Sequence, residues 1–264
     1  MSERAPEGLL PALAGLGGFF ELTRPAEGSD AVPWSEVLAH DALLARTATV
    51  RAALARSSGI PLEDVDTKVA VSALQVGLAS RLWSVAMAGA VLHRWVPDLG
   101  SDNLVASPGH GGPVPLALAD PSRGYAVRGT PESARVLGGV VVEDSLAALD
   151  AACARVGPTS SQVLRSNSAS SLVGAARVLG TQRPEDRPSA WALARAVLEH
   201  PGLARGGRVR ERAGLPEGVG GAMERPREAF LRHGCCLFDR LPQHGLCPDC
   251  VRAEHRPDLV TPGH

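Results

Sequence analysis

Residues 69–96 read VAVSALQVGLASRLWSVAMAGAVLHRWV, and the fold turns on whether this run crosses a membrane or fills a protein core. Val71, Leu74, Leu78, Leu82 and Val85 recur at three- and four-residue spacing, the stripe of a helix packed against other helices. Arg81 interrupts the run near its middle, and His93 and Arg94 close it. A membrane span of this length would be more uniformly apolar. The stretch therefore reads as a long core helix, and the chain around it as a globular fold.

Further helices flank it. Residues 34–55 (WSEVLAHDALLARTATVRAALA) have helical spacing, with Ser35 as a cap and Glu36 in the first turn. Residues 144–157 place Leu146, Leu149, Cys153 and Val156 on one apolar face, where Cys153 reads as a small core residue. Residues 159–180 follow with hydroxyl caps at Thr159 to Ser161 and an unusually small, polar helix body. Another helix begins near Ser189 and stops at Pro201 and Gly202. Between residues 101 and 129, Gly and Pro turns separate short runs such as VPLALA and YAVRG, which predicts two or three strands. GHGG at 109–112 lacks the ending of a phosphate loop and reads as a turn. The first thirty residues read as a packed or partly mobile arm, and 204–226 as a Gly- and Arg-rich connector. The expected fold is α+β: a mostly helical domain with a small antiparallel β element and a short cysteine-rich C-terminal segment. The expected division is 1–224 and 225–264.

The composition excludes more than it selects. At 264 residues the chain can bury a real core without disulfide or metal staples. A formal net charge of -1 gives no electrostatic basis for nucleic-acid binding or a membrane-surface partner. Lys68 is the only lysine beside many arginines, a compositional bias rather than a functional signal. Residues 8–20 (GLLPALAGLGGFF) are apolar, yet the preceding MSERAPE is not a cationic leader, so a cytoplasmic protein without stable membrane insertion is expected. Reduced thiols follow from that compartment.

Four of the five cysteines fall in residues 235–250, CCLFDRLPQHGLCPDC. A CxxC turn lets Cys247 and Cys250 face one metal atom. Adjacent residues of an extended strand point to opposite sides, so Cys235 and Cys236 serve one site only if the backbone bends there. Four thiolates can hold one zinc ion or the two irons of a 2Fe–2S cluster, and the wider dinuclear cluster suits sulfurs arriving from different directions. Structural zinc, a CPDC redox dithiol and iron–sulfur ligation all remain open on spacing alone, with geometry leaning to the last.

The segment LRHGCCLFDRLPQHGLCPDC (residues 231–250) resembles the C-terminal signature of the FhuF family of ferric siderophore reductases. Cys235, Cys236, Cys247 and Cys250 match its cluster ligands, and Arg240, Leu241, Pro242 and Asp249 its connecting positions. Upstream, VLRSNSASSL (163–172) resembles the family's small-residue helix through Asn167, Ala169 and Ser170. His233, Gly234 and Pro248 depart from the pattern, and Pro248 removes an N–H from inside the CxxC. The resemblance implies a 2Fe–2S cluster on the four cysteines, which are both metal ligands and the redox centre. It also implies one-electron reduction of siderophore-bound Fe(III) in the cytoplasm, including the inner face of the membrane. No nucleotide-binding fingerprint is present, so an external ferredoxin or NAD(P)H-dependent reductase is the expected donor.

Charge then nominates contacts. Arg232, His233, Arg240, His244 and Arg252 lie near the cysteines, to stabilise an anionic cluster or attract an anionic chelate, or simply to be solvated. Arg232, Arg240, Arg165 and Asn167 are the candidate substrate-binding residues, the last two on the small-residue helix. His93 reads as a helix-end histidine rather than a ligand. A structural-zinc scaffold and a siderophore-biosynthesis protein are the alternative functions.

Overall fold

The computed structural model describes residues 5–107, 114–211, 228–242 and 244–252. The turn expected at 109–112 lies outside them, as do residues 212–227, where the expected domain division falls. The helices are α1 (Leu9–Ala14), α2 (Trp34–Val37), α3 (His40–Ser58), α4 (Thr67–His93), α5 (Thr130–Leu137), α6 (Ala147–Val156), α7 (Ser161–Gln182) and α8 (Arg187–Leu198). The strands are β1 (Leu22–Thr23), β2 (Val32–Pro33), β3 (Trp95–Pro97), β4 (Leu104–Ala106), β5 (Leu116–Leu118), β6 (Gly124–Ala126), β7 (Gly207–Glu211) and β8 (Glu228–Arg232). The architecture is α+β, as the sequence leads one to expect.

Helix α4 is the axis of the fold. Asp66 caps its start, with the carboxylate accepting from Lys68 N–H at 2.9 Å, and Arg94 ends it in the left-handed region at φ 52°. Its length and composition would allow a membrane crossing, but 78% of that apolar window is buried inside the protein. The stripe from Val71 to Val85 is buried, and so is most of the opposite face. Arg81 is 1% exposed: its Nε–H donates to the Val114 carbonyl at 2.7 Å and a terminal nitrogen to the Glu21 carbonyl. This arginine thereby stitches α4 to the stretch leading into β5 and to the N-terminal arm, and burial pulls its pKa down to about 10.

Two neighbours define the direction of the bundle. Ser72 meets Asn167 and Ser80 meets Ser171, so α7 runs parallel to α4. Gln75 meets Asp150 while Gly157 abuts Val71, so α6 runs antiparallel to it. One four-stranded sheet has the order β1-β5-β4-β2, and two-stranded ladders join β3 to β6 and β7 to β8. The β1–β5 pair is parallel, with Leu22 opposite Leu116, which an all-antiparallel reading does not anticipate. The N-terminal arm closes back beside the central hairpin.

Other departures are local. The single helix expected over 34–55 breaks at Leu38 and Ala39 into α2 and α3, and Ser35 makes no capping bond. Residues 138–146 form a π-helix joining α5 to α6, a widened turn invisible to 3.6-residue periodicity. Helix α8 starts at Arg187, before Ser189. The connector over 204–226 begins with strand β7, whose pairing with β8 is non-local: Gly207 faces Arg232 and Val209 faces Phe230. Ser160 caps α7 as its hydroxyl position suggests, accepting from Val163 N–H at 3.3 Å, and Cys153 is buried in the core.

The α4–α6–α7 contact encloses a polar seam. Gln75 donates to Asp150 at 2.8 Å and to the Ser168 hydroxyl at 2.9 Å. Burial pushes the Asp150 carboxyl up to about 6, against the lowering pull of the Gln75 bond and of Arg165. The folded protein thus favours the neutral acid. That contribution is full below the unfolded carboxylate pKa and is lost as pH rises through about 6. Asp150→Asn is expected to raise stability by up to ~2 kcal/mol near pH 8 and to change little near pH 4; thermal melting at both pH values checks the sign.

Candidate iron–sulfur site

Helix α7 carries a face of Ser166, Asn167, Ala169 and Ser170, and the C-terminal segment lies against it. Two glycines permit the approach. A Cβ at Gly206 would stand 2.6 Å from the Ala169 Cβ, and one at Gly234 would stand 2.9 Å from both the Gln162 carbonyl and the Ser166 hydroxyl. The Gly234 site has no room for a larger side chain.

The cysteine pair lies just after this contact. Leu237 adopts φ 71°, a left-handed conformation costly for a branched side chain, and supplies the bend that adjacent cysteines require. Its N–H donates to the Cys235 sulfur at 3.3 Å, while the Cys236 carbonyl accepts from the buried Ser72 hydroxyl at 2.8 Å. Leu237 and Leu241 pack with Ala55, Val65 and Val69 in a small apolar cluster, fixing the loop to α3 and the start of α4. Arg240 reaches Asp66 at 2.9 Å. The Arg-Leu-Pro stretch is therefore a strap that ties the two halves of the thiol site to the bundle.

On the other side, Cys247 to Cys250 form a turn in which Cys250 N–H donates to the Cys247 carbonyl at 2.9 Å. Pro248 stands at the second position of that turn, where its fixed φ fits and no donor is needed. Asp249 is buried and accepts from Ser170 at 2.8 Å and Arg177 at 3.0 Å. Its carbonyl accepts from Arg232 N–H at 3.0 Å, joining the turn to β8.

The thiols converge between these anchors. Cys236 Sγ and Cys247 Sγ are 3.8 Å apart, the separation of two thiolates on one tetrahedral metal atom at ~2.3 Å. Cys235 interacts with Cys236, and Cys250 lies within electrostatic range of both. The Cys250 sulfur also accepts from Arg252 N–H at 3.4 Å. Yet among the described residues no three His, Cys, Asp or Glu side chains gather as ligands of a single ion. Backbone N–H donors reach two of the sulfurs, Leu237 at Cys235 and Arg252 at Cys250, the kind of bond that stabilises the sulfurs of an iron–sulfur cluster. The Cys235 thiol is pushed up by its bond with Cys236 and by burial, and burial pushes Cys250 up as well. A bound metal removes those protons outright.

The candidate contacts separate clearly. Arg232 and Asn167 come together at the segment's inner face, 4% and 0% exposed, with the guanidinium donating to the Asn167 side-chain oxygen. Arg240 is on the surface beside the site. Arg165 points away, its Nε–H donating to the Gly202 carbonyl at 3.2 Å near α8. His233 is exposed with its N–H on Gly206, His244 packs near the Phe238 ring, and Arg252 pairs with Asp239. His93 ends α4 far from the cysteines, its pKa lowered by burial and by Arg183. Ser72, Arg177 and Asp239 were not singled out by sequence. Arg177 and Asp249 are 72 residues apart, and no local pattern links them.

A family model described as the FhuF 2Fe-2S C-terminal domain matches residues 232–252. No curated protein matches the chain. The matched stretch runs from Arg232 through all four cysteines to Arg252, so the cofactor of this segment is a 2Fe–2S cluster.

If Asp249 anchors the turn, Asp249→Ala strands the two donors and is expected to cost ~2 kcal/mol. Iron should then pass to a competing chelator several-fold faster than from the wild type. Arg177→Ala, which leaves the Ser170 bond intact, should have a smaller effect on the same release rate.

Proposed function

We propose, for a chain that is FhuF-like through its C-terminal 2Fe-2S domain, that it reduces ferric iron held by a siderophore. The observation that carries this reading is the half-open thiol site: Cys236 and Cys250 are buried, while Cys235 and Cys247 are partly exposed beside Arg240 and Arg252. A redox centre at that depth is shielded on its inner side and approachable from solvent on its outer side.

When bound, the cluster supplies one electron, which turns chelated Fe(III) into Fe(II) and leaves the cluster oxidised. Siderophore oxygens are hard donors that favour Fe(III), so the reduced ion leaves more readily. The protein's residues need only fix the thiols, exclude water from the inner side and present a surface to the chelate. Arg240 is the substrate-facing candidate that remains next to the site, its charge offset in part by Asp66. Arg232 and Asn167 are too deeply buried to meet a chelate from solution, and Arg165 faces α8.

The cleft lined by Asp98, Arg123, Tyr125 and Asp144, about 370 Å³, lies beyond the other end of α4. From Ser72 to His93 the helix alone spans ~30 Å, so the chelate is assigned to the outer face of the cysteine segment instead. The expected setting is the cytoplasm, including the inner face of the membrane, with an external ferredoxin or NAD(P)H-dependent reductase returning the electron.

Reduced protein mixed anaerobically with a ferric hydroxamate or catecholate should be reoxidised and yield one trapped Fe(II) per cluster. Cys247→Ser should lose both the reddish-brown chromophore and this reaction. Wild-type protein that stays reduced beside every ferric chelate tested would contradict the reading.

A further inference from the structure

Arg232 is a buried cation with an unusual set of partners. Its backbone N–H is held by the Asp249 carbonyl and its Nε–H donates to the Gly234 carbonyl at 3.2 Å. Its remaining bond goes to the side-chain oxygen of Asn167. Asn167 in turn donates to the Ser72 hydroxyl at 3.0 Å and the Ser72 carbonyl at 3.3 Å, and that hydroxyl donates to the Cys236 carbonyl. A closed chain of neutral groups therefore fixes the guanidinium under the cysteine pair.

Three other arginines around the segment each have a carboxylate. Arg177 has Asp249, Arg240 has Asp66 and Arg252 has Asp239. Among the described residues none lies in ion-pair contact with Arg232, although it is 4% exposed. A buried charge without a counter-charge is destabilising, so an anion close by is strongly favoured. Its bonds place it beside the cysteine pair: directly on the Gly234 carbonyl, next to Cys235, and through Asn167 and Ser72 on the Cys236 carbonyl.

We propose that Arg232 is the internal counter-charge of the iron–sulfur cluster, held in place by Asn167 and Ser72, and that it sets the cluster's reduction potential. Reduction adds negative charge to an already anionic group, so a fixed cation at its inner face stabilises the reduced form more than the oxidised form. Arg232 and Asn167 are then positioning residues for the redox centre and not contacts for the chelate. The inference rests on the iron–sulfur reading and goes beyond it by assigning the residue that tunes the potential.

Dye-mediated redox titration of the cluster-loaded protein tests it, with iron, sulfide and the visible spectrum measured first on each variant. Arg232→Gln should shift the midpoint negative, lowering the reduced-to-oxidised ratio about tenfold at the wild-type midpoint, ~59 mV for one electron. Arg232→Lys, which keeps the charge, should stay closer to the wild type. Asn167→Asp, nearly isosteric, places a carboxylate on the guanidinium and should shift the midpoint in the same direction as Arg232→Gln. It carries the test if Arg232→Gln fails to fold. An unchanged or more positive midpoint in a cluster-bearing Arg232→Gln or Asn167→Asp protein overturns the proposal. Loss of the cluster from both, with helical circular dichroism intact, also overturns it, because the network would then be a scaffold. Wild-type protein lacking iron and sulfide removes the premise instead, and is recognised before any variant is titrated.

Discussion

The close packing of the C-terminal segment on the small-residue face of α7 is the contact on which the site depends. Gly206 and Gly234 bring two stretches of backbone against Ala169, Ser166 and Gln162, where one added methyl group would overlap. That approach places Asp249 within reach of Ser170 and Arg177, and Arg232 within reach of Asn167. A bulkier α7 would leave the cysteines on a loose tail. The cost of so polar a helix in the interior is met by hydrogen bonds across to α4, from Ser72 to Ser80.

Charge is distributed to match. Surface arginines on the segment are neutralised locally by Asp66 and Asp239, so the outer face is close to balanced. On the inner face, Arg232 has no carboxylate in ion-pair contact among the described residues. Asp249 performs a mechanical task, linking turn, helix and strand, and its charge is matched by Arg177. The thiols are thus positioned from three directions: the Leu237 bend, the Cys247 to Cys250 turn and the β7–β8 ladder.

Much of this was legible in the residues. The apolar stripe of 69–96 fixes a core helix because Arg81 can satisfy carbonyls inside a protein, as it does at Val114 and Glu21. The four cysteines and the intervening Arg-Leu-Pro mark the metal segment, since few other chemistries need that spacing. Asn167 was legible only through resemblance, and its partner shows why it matters. What escaped is what depends on distant pairing. Strand β7 sits in a Gly- and Arg-rich run that looks like a linker until β8 is laid beside it. The π-helix at 138–146 breaks the periodicity that reveals ordinary helices. Arg232 carries the same letter whether it greets a chelate or lies buried, and only burial separates the two roles.

The central claim is that residues 232–252 hold a dinuclear iron–sulfur centre. Anaerobic purification followed by iron and acid-labile sulfide analysis, with EPR before and after one-electron reduction, tests it most directly. The account predicts two irons and two sulfides per chain, no signal as oxidised and a half-integer-spin signal after reduction. A colourless protein carrying a single zinc ion, silent in both states, would contradict it.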